Sequence, residues 1–457
     1  MPRDGQHRPD LPDVVVIHCH DLGRHLGCYG AATVASPHLD ALAAEGVLLE
    51  QMFAAAPQCS PSRAALFTGR WPHTAGVLGL THHTFGWDLN AGEKHLARHL
   101  GEAGYRTELV GVMHEARRGS NEQIAAALGI DRVRTGGRHM QVAEAAEEAV
   151  ARLAGEPEPY YLQVGFSEPH RLPGEHDAPG VMGFLGDEIS PDQSLGVQVP
   201  AYLEDTASAR EEVAELQGAI RAMDSASGRV LAAIEAGGRA HNTVVVFTTD
   251  HGLALPRAKC SLYDPGLEVA FIVRWPAGGW DGGRRLHRAR TNIDVVPTLL
   301  DALGLESTDA PPMHGESFAA DLGGALEVDD PEEVIYGEMT YHDYYDPRRC
   351  IRTPRAKLIV NFTSAPEFMD PSQSWNRRCV PVERRNGNAG SHPTVELYDL
   401  LADPLELTNM AEDPAYAQTR ADLLRQLGDW MLQTQDPLLD GAVTSPLHQD
   451  SLKAVRG

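Results

Sequence analysis

The chain has 457 residues, 42% of them hydrophobic, and a net charge of −25. That length suits one large α/β domain with a smaller appendage. The negative balance excludes nucleic acid and anionic membranes as expected partners, because both need basic patches. A small anionic substrate is still accommodated by a locally basic pocket. No apolar run reaches the ~18 residues of a membrane span, and residues 1–10 lack the apolar core of a signal peptide, so the expected location is cytoplasmic. The six cysteines, at 19, 28, 59, 260, 350 and 379, form no C-x-x-C pair and read as reduced thiols.

In chain order, the Val-Val-Val-Ile run at 14–17 reads as a buried strand. Helical spacing follows at 39–45 and 92–100, then a strand at 107–112, a helix at 142–153 and a strand at 160–166. Residues 169–200 are rich in Gly, Pro and Asp and read as a surface excursion, a candidate lid. A long helix at 211–235 precedes a fourth strand at 244–248, and 304–331 reads as a second excursion. Alternating strand and helix predicts a large, mostly parallel sheet sandwiched by helices over residues 1–330. Short strands at 334–336, 357–361 and 396–400 and an amphipathic helix at 419–433 predict a C-terminal subdomain, 331–457, of antiparallel sheet plus helix.

Each of the four strands in the first part runs into polar residues suited to chemistry. They are His18-Cys19-His20-Asp21, then His114, then Glu168-Pro169-His170, then Asp250-His251-Gly252. One strand-end His or Asp is usually a turn residue. Four together predict a common site, because ligands of open α/β sheets bind beyond the carboxyl ends of the strands. Cys59 precedes Pro61, which suits a first helical turn, and Gly69 suits the helix end. Cys59 is therefore expected at a helix N-terminus, where an anion is favoured. Arg63, about one turn in, is placed to hold an oxygen of the nucleophile or of the substrate. The plainer alternative is a buried structural cysteine.

Cys59-Ser60-Pro61-Ser62-Arg63, followed by Leu66-Phe67-Thr68-Gly69, resembles the signature of the sulfatase family, with the C-x-P-x-R core at which cysteine becomes formylglycine. The Pro12–Ile17 run with Asp21-Leu22-Gly23 and Leu26-Gly27-Cys28-Tyr29-Gly30 resembles that family's opening metal motif. Gly104-Tyr105-Arg106-Thr107 with Gly111 and His114, then Glu168-Pro169-His170, resemble its middle blocks. Thr249-Asp250-His251-Gly252 with Lys259 and Tyr263 resembles its second metal motif, and Glu396-Leu397-Tyr398-Asp399-Leu400 its C-terminal signature. The segment from Pro256 to Tyr263, with Glu168 to Arg171, looks most like the heparan N-sulfatase-like branch.

The resemblance implies a hydrated formylglycine whose one hydroxyl attacks sulfur and whose other, once deprotonated, expels sulfate, so that one hard step becomes two. It implies Asp21, Asp250 and His251 as ligands of one divalent metal, with Cys59 itself and His20 completing the set. Arg63 would stabilise the nucleophile, and His114 would take the proton that triggers sulfate release. His170 and Lys259 would bind sulfate and protonate the leaving group. A small sulfated, carbohydrate-type substrate and a formylglycine-generating enzyme are the implied partners.

Three positions depart from the family pattern: His20 replaces an aspartate, His251 replaces an asparagine, and Val112 stands where a lysine is common. Calcium is the ion the family implies, but two imidazoles suit manganese or another transition ion better. An Asp-His pair also occurs in related phosphonate monoester and phosphodiester hydrolases, which makes such an enzyme the second reading. A non-catalytic binding protein with Cys59 never oxidised is the third. His82, His83, Arg171, His176, Tyr341 and His342 are the candidate substrate-recognition residues.

Overall fold

The computed structural model describes residues 11–82, 85–117, 119–173, 182–184, 189–324, 333–364, 378–382 and 391–456. The four predicted strands are observed as Asp13–Cys19, Arg106–Gly111, Tyr160–Gly165 and Thr243–Thr249. They lie side by side and parallel in an eight-stranded sheet. Its full order is Arg284–Leu286, Val47–Leu49, Phe271–Arg274, Thr243–Thr249, Asp13–Cys19, Tyr160–Gly165, Arg106–Gly111 and Arg132–Thr135. Only Phe271–Arg274 runs against its neighbours.

The alternation of a strand explains both layers. Val15 and Ile17 face a core built with the helices Pro37–Glu45, His139–Leu153 and Ala207–Ala236. Val14 and Val16 face the opposite core, with Cys59–Thr68, Leu96–Glu102, Asn121–Leu128 and Val295–Ala302. Burying each such side chain is worth about 1.5–3 kcal/mol, so a one-residue slip would expose two cores at once. The helix expected at 92–100 starts later, at Leu96, because the His95 ring accepts the Ala97 N–H at 3.1 Å and caps it there.

A four-stranded antiparallel sheet follows in the order Ile335–Tyr341, Tyr345–Arg352, Ala356–Asn361 and Val395–Asp399. Helix Ala417–Gln433 covers it: Leu423, Leu427, Trp430 and Met431 pack with Ile351, Leu358 and Leu397. Ala55, Trp71 and Ile293 of the first part share that cluster. Of the 169–200 excursion, Leu172–Pro173 pairs with Met182–Gly183, and residues 174–181 and 185–188 lie outside the described residues. Among the described residues no helix is long and apolar enough to cross a membrane.

Candidate active site

The ends of neighbouring strands bring the predicted groups together. Asp21 follows the Asp13–Cys19 strand with a left-handed backbone, φ 53°, a conformation aspartate tolerates better than most residues. Its backbone N–H donates to Asp250 Oδ1 at 3.0 Å, and so does that of His251. On the other oxygen, Arg63 Nε and an Arg63 terminal nitrogen each sit 3.2 Å from Asp250 Oδ2. Burial opposes ionisation of Asp250, but His251, Arg63 and His20 hold its carboxyl well below the usual carboxylate range.

Cys59 opens helix Cys59–Thr68, all ten residues of which are buried. Its Sγ lies 3.3 Å from His251 Nε2. The other ring nitrogen, His251 Nδ1, is 3.0 Å from the Gly252 carbonyl. That contact fixes the tautomer and leaves Nε2 unprotonated, facing Asp21 Oδ1 at 3.3 Å. Burial pushes the Cys59 thiol up to about 12, against the pull of Lys259 and Arg63.

His20, Asp21, Cys59 and Asp250 each offer a ligand atom, and these atoms lie within 4.8 Å of one another. His20 Nδ1 lies only 2.8 Å from Asp250 Oδ2. Two ligand atoms converging on one ion show this relation. The residues therefore fit a divalent metal site. His251, also expected as a ligand, borders the group through Nε2, whereas His20 lies within it.

Lys259 donates to both Asp21 oxygens, at 3.0 and 2.9 Å. His170 Nε2 lies 3.7 Å from Asp21 Oδ2, while its Nδ1 meets the Arg171 carbonyl at 2.5 Å. His114 meets His20 edge-on, ring centres 5.2 Å apart, and His170 meets His20 similarly at 5.3 Å. Arg63 is fully buried. Besides Asp250 it donates to the Cys19 carbonyl at 2.8 Å and contacts His18 Nδ1, so its nearest partners are the Asp250 carboxylate and the first strand end.

Among the recognition candidates, His82 stacks on His114 at 6.1 Å and so belongs to the site. Tyr341 packs against Trp87, and its hydroxyl donates to the Val443 carbonyl at 2.7 Å. His342 is buried against Asp343. Arg171 corrects its expectation: it is 2% exposed, paired with Glu212 and bonded to the Ala254 carbonyl. It anchors the excursion to the long helix. His83 and His176 lie outside the described residues.

Several supporting residues had no local sequence signal. Asn292 Nδ2 donates to the Ser62 carbonyl and hydroxyl at 3.1 and 2.9 Å, and Asn292 Oδ1 accepts the Ala55 N–H at 2.9 Å. Ser62 Oγ in turn donates to the Asp250 carbonyl at 2.5 Å. Ser60 Oγ meets Thr81 Oγ1 at 3.2 Å, and that hydroxyl donates to the His114 carbonyl at 3.0 Å. These bonds set the Cys59 helix, Asp250 and His114 relative to one another.

The sulfatase family model matches residues 12–305. Human N-sulphoglucosamine sulphohydrolase is 27% identical, over 91% of this chain and 89% of its own. A solved 2-O GAG sulfatase superposes with TM-score 0.68 at 21% identity, covering 95% of this chain and 94% of that one. The phosphonate monoester hydrolase of Agrobacterium radiobacter superposes with TM-score 0.64 at 21% identity, covering 93% and 96%. At those identities the two structures show the shared fold alone.

Proposed function

The chain belongs to the sulfatase family, a sulfuric-ester hydrolase by family and fold with a divalent-metal site, and on that premise we propose that it removes sulfate from small carbohydrate substrates through Cys59 oxidised to formylglycine. The observation that carries this reading is Cys59 at the start of a buried helix, within ligand distance of His20, Asp21 and Asp250. Oxidation of its Cβ to an aldehyde, with loss of sulfur, is the work of a formylglycine-generating enzyme. The modified side chain supplies a hydrated aldehyde oxygen as nucleophile. The metal, when bound, supplies Lewis-acid polarisation of the sulfate oxygens.

The remaining roles fall to this chain's own groups. Arg63 fixes Asp250 and adds positive charge beside the nucleophile. His170 and Lys259, both beside Asp21, bind the sulfate, and one of them returns the proton the leaving group needs. His114, held through Thr81, accepts the proton released with sulfate. Overall, water is consumed and an alcohol or amine and sulfate are produced. A net charge of −25 repels long sulfated polymers, which favours monosaccharides and chain ends. Resemblance to the heparan N-sulfatase-like branch and the human relative at 27% identity favour an N-sulfated amino sugar. Two imidazoles among two carboxylates favour manganese or another transition ion over calcium.

Sulfate release from N-sulfoglucosamine and from an aryl sulfate, each compared with turnover of a phenylphosphonate ester, tests the assignment. Preference for the sulfated pair supports it. Preference for the phosphonate, which the Asp250-His251 pair and the Agrobacterium fold likeness make the second reading, replaces it.

A further inference from the structure

His20 and Cys59 belong to two groupings. One adds Asp21 and Asp250; the other adds His114, again with ligand atoms within 4.8 Å of one another. The second contains no carboxylate. We propose that the chain, while Cys59 still carries its thiol, binds a thiophilic divalent ion, Zn2+ or Co2+, on His20, Cys59 and His114, and that loss of the sulfur abolishes this site.

A thiolate and two imidazoles form a zinc-type donor set, whereas magnesium and calcium prefer oxygen. Ligand atoms around one four-coordinate zinc lie within about 3.8 Å of each other, given bonds of about 2.0–2.3 Å. The three groups therefore need to close by about an ångström at most. His251 Nε2, 3.3 Å from Cys59 Sγ and oriented by the Gly252 carbonyl, offers a further nitrogen for the fourth position. Binding transfers the thiol proton to solvent and needs no redox partner. The carboxylate side of the pocket already carries cations, Lys259 on Asp21 and Arg63 on Asp250. Lys259 and Arg63 act on the sulfur too, but there they favour the thiolate that a soft ion needs.

The site needs only the thiol. Its consequence, that zinc and the maturation enzyme compete for one sulfur, rests on the formylglycine reading. Conversion then leaves imidazole and oxygen donors, so the preferred ion changes with maturation.

Cobalt titration of the full chain produced without a formylglycine-generating enzyme tests this. The expected result is a near-ultraviolet thiolate-to-cobalt charge-transfer band, bleached by zinc, absent in Cys59→Ser and retained in Cys260→Ala. His114→Ala should weaken cobalt binding by about tenfold or more, and circular dichroism of each variant should match the parent. No band in the parent, a band that persists in Cys59→Ser, or unchanged affinity in His114→Ala overturns the proposal. Inactivity of the converted protein on sulfated substrates would instead overturn the sulfatase reading and leave this test untouched.

Discussion

Lys259 holds both oxygens of Asp21, so a cation entering the carboxylate set meets an ammonium already in place. Removing that charge relieves like-charge repulsion in a poorly screened interior. Lys259→Ala should therefore bind Mn2+ about tenfold more tightly, a gain of ~1.4 kcal/mol, while turnover falls about 100-fold because a proton donor is lost. Calorimetry beside steady-state kinetics reads both; unchanged Mn2+ affinity would remove Lys259 from the metal's surroundings. Asn292 offers a second residue-level test. Asn292→Ala strands the buried Ala55 N–H and both Ser62 contacts, which should cost about 1–3 kcal/mol in a urea titration. A loss near zero would show that water replaces the amide. The strand-end histidines and aspartates were legible because each follows an apolar run. Asn292 was not, since its partners lie some 230 positions away and no local pattern marks it. Arg171 was misread because a charged residue beside His170 looks like a recognition group until Glu212 is seen opposite it.

Helix Cys59–Thr68 ends at Gly69, which adopts φ 70°. A Cβ there would stand 3.2 Å from Met313 Sδ and 3.3 Å from the Ile293 carbonyl. Gly69→Ala should destabilise by about 1 kcal/mol or more, from the left-handed backbone alone, and a thermal melt checks it; an unchanged midpoint would mean the helix end shifts freely. The parallel strands were readable because they are apolar runs buried on both faces, and two of them, Asp13–Cys19 and Thr243–Thr249, carry continuous β-branched stretches. The strand Tyr345–Arg352 was not. It reads Tyr-Asp-Pro-Arg-Arg-Cys-Ile-Arg, a polar run without strand-like alternation: Arg349 and Arg352 pair with distant Asp436 and Asp264, and Arg348 with Asp346 inside the strand. Phe271–Arg274 and the two short strands beyond it escaped for a different reason: four and three residues are too few to establish a period.

Across the whole molecule, the C-terminal sheet is tied to the first part by buried polar contacts. His73 N–H donates to Glu338 Oε1 at 2.9 Å, and Arg352 pairs with Asp264. Tyr263 donates to Glu396 Oε2 at 2.8 Å, joined there by Tyr398 and, on the other oxygen, by Asn361. Burial alone would raise the Glu396 carboxyl, but His392, Tyr398 and Asn361 more than offset this and hold it at about 2. Its folded value is depressed, so its contribution to stability is complete above the ordinary value of 4.5 and is lost as pH falls toward 2. Glu396→Gln should therefore lower the melting temperature at pH 7 and narrow its difference from the parent at pH 3; an equal difference at both would remove Glu396 from acid unfolding. The central claim is that oxidised Cys59 performs sulfate hydrolysis. Preparations spanning a range of conversion, each quantified by mass spectrometry of the Cys59 peptide, allow sulfate release per molecule to be plotted against the converted fraction. A straight line through the origin is the predicted result; full turnover in unconverted protein would contradict it.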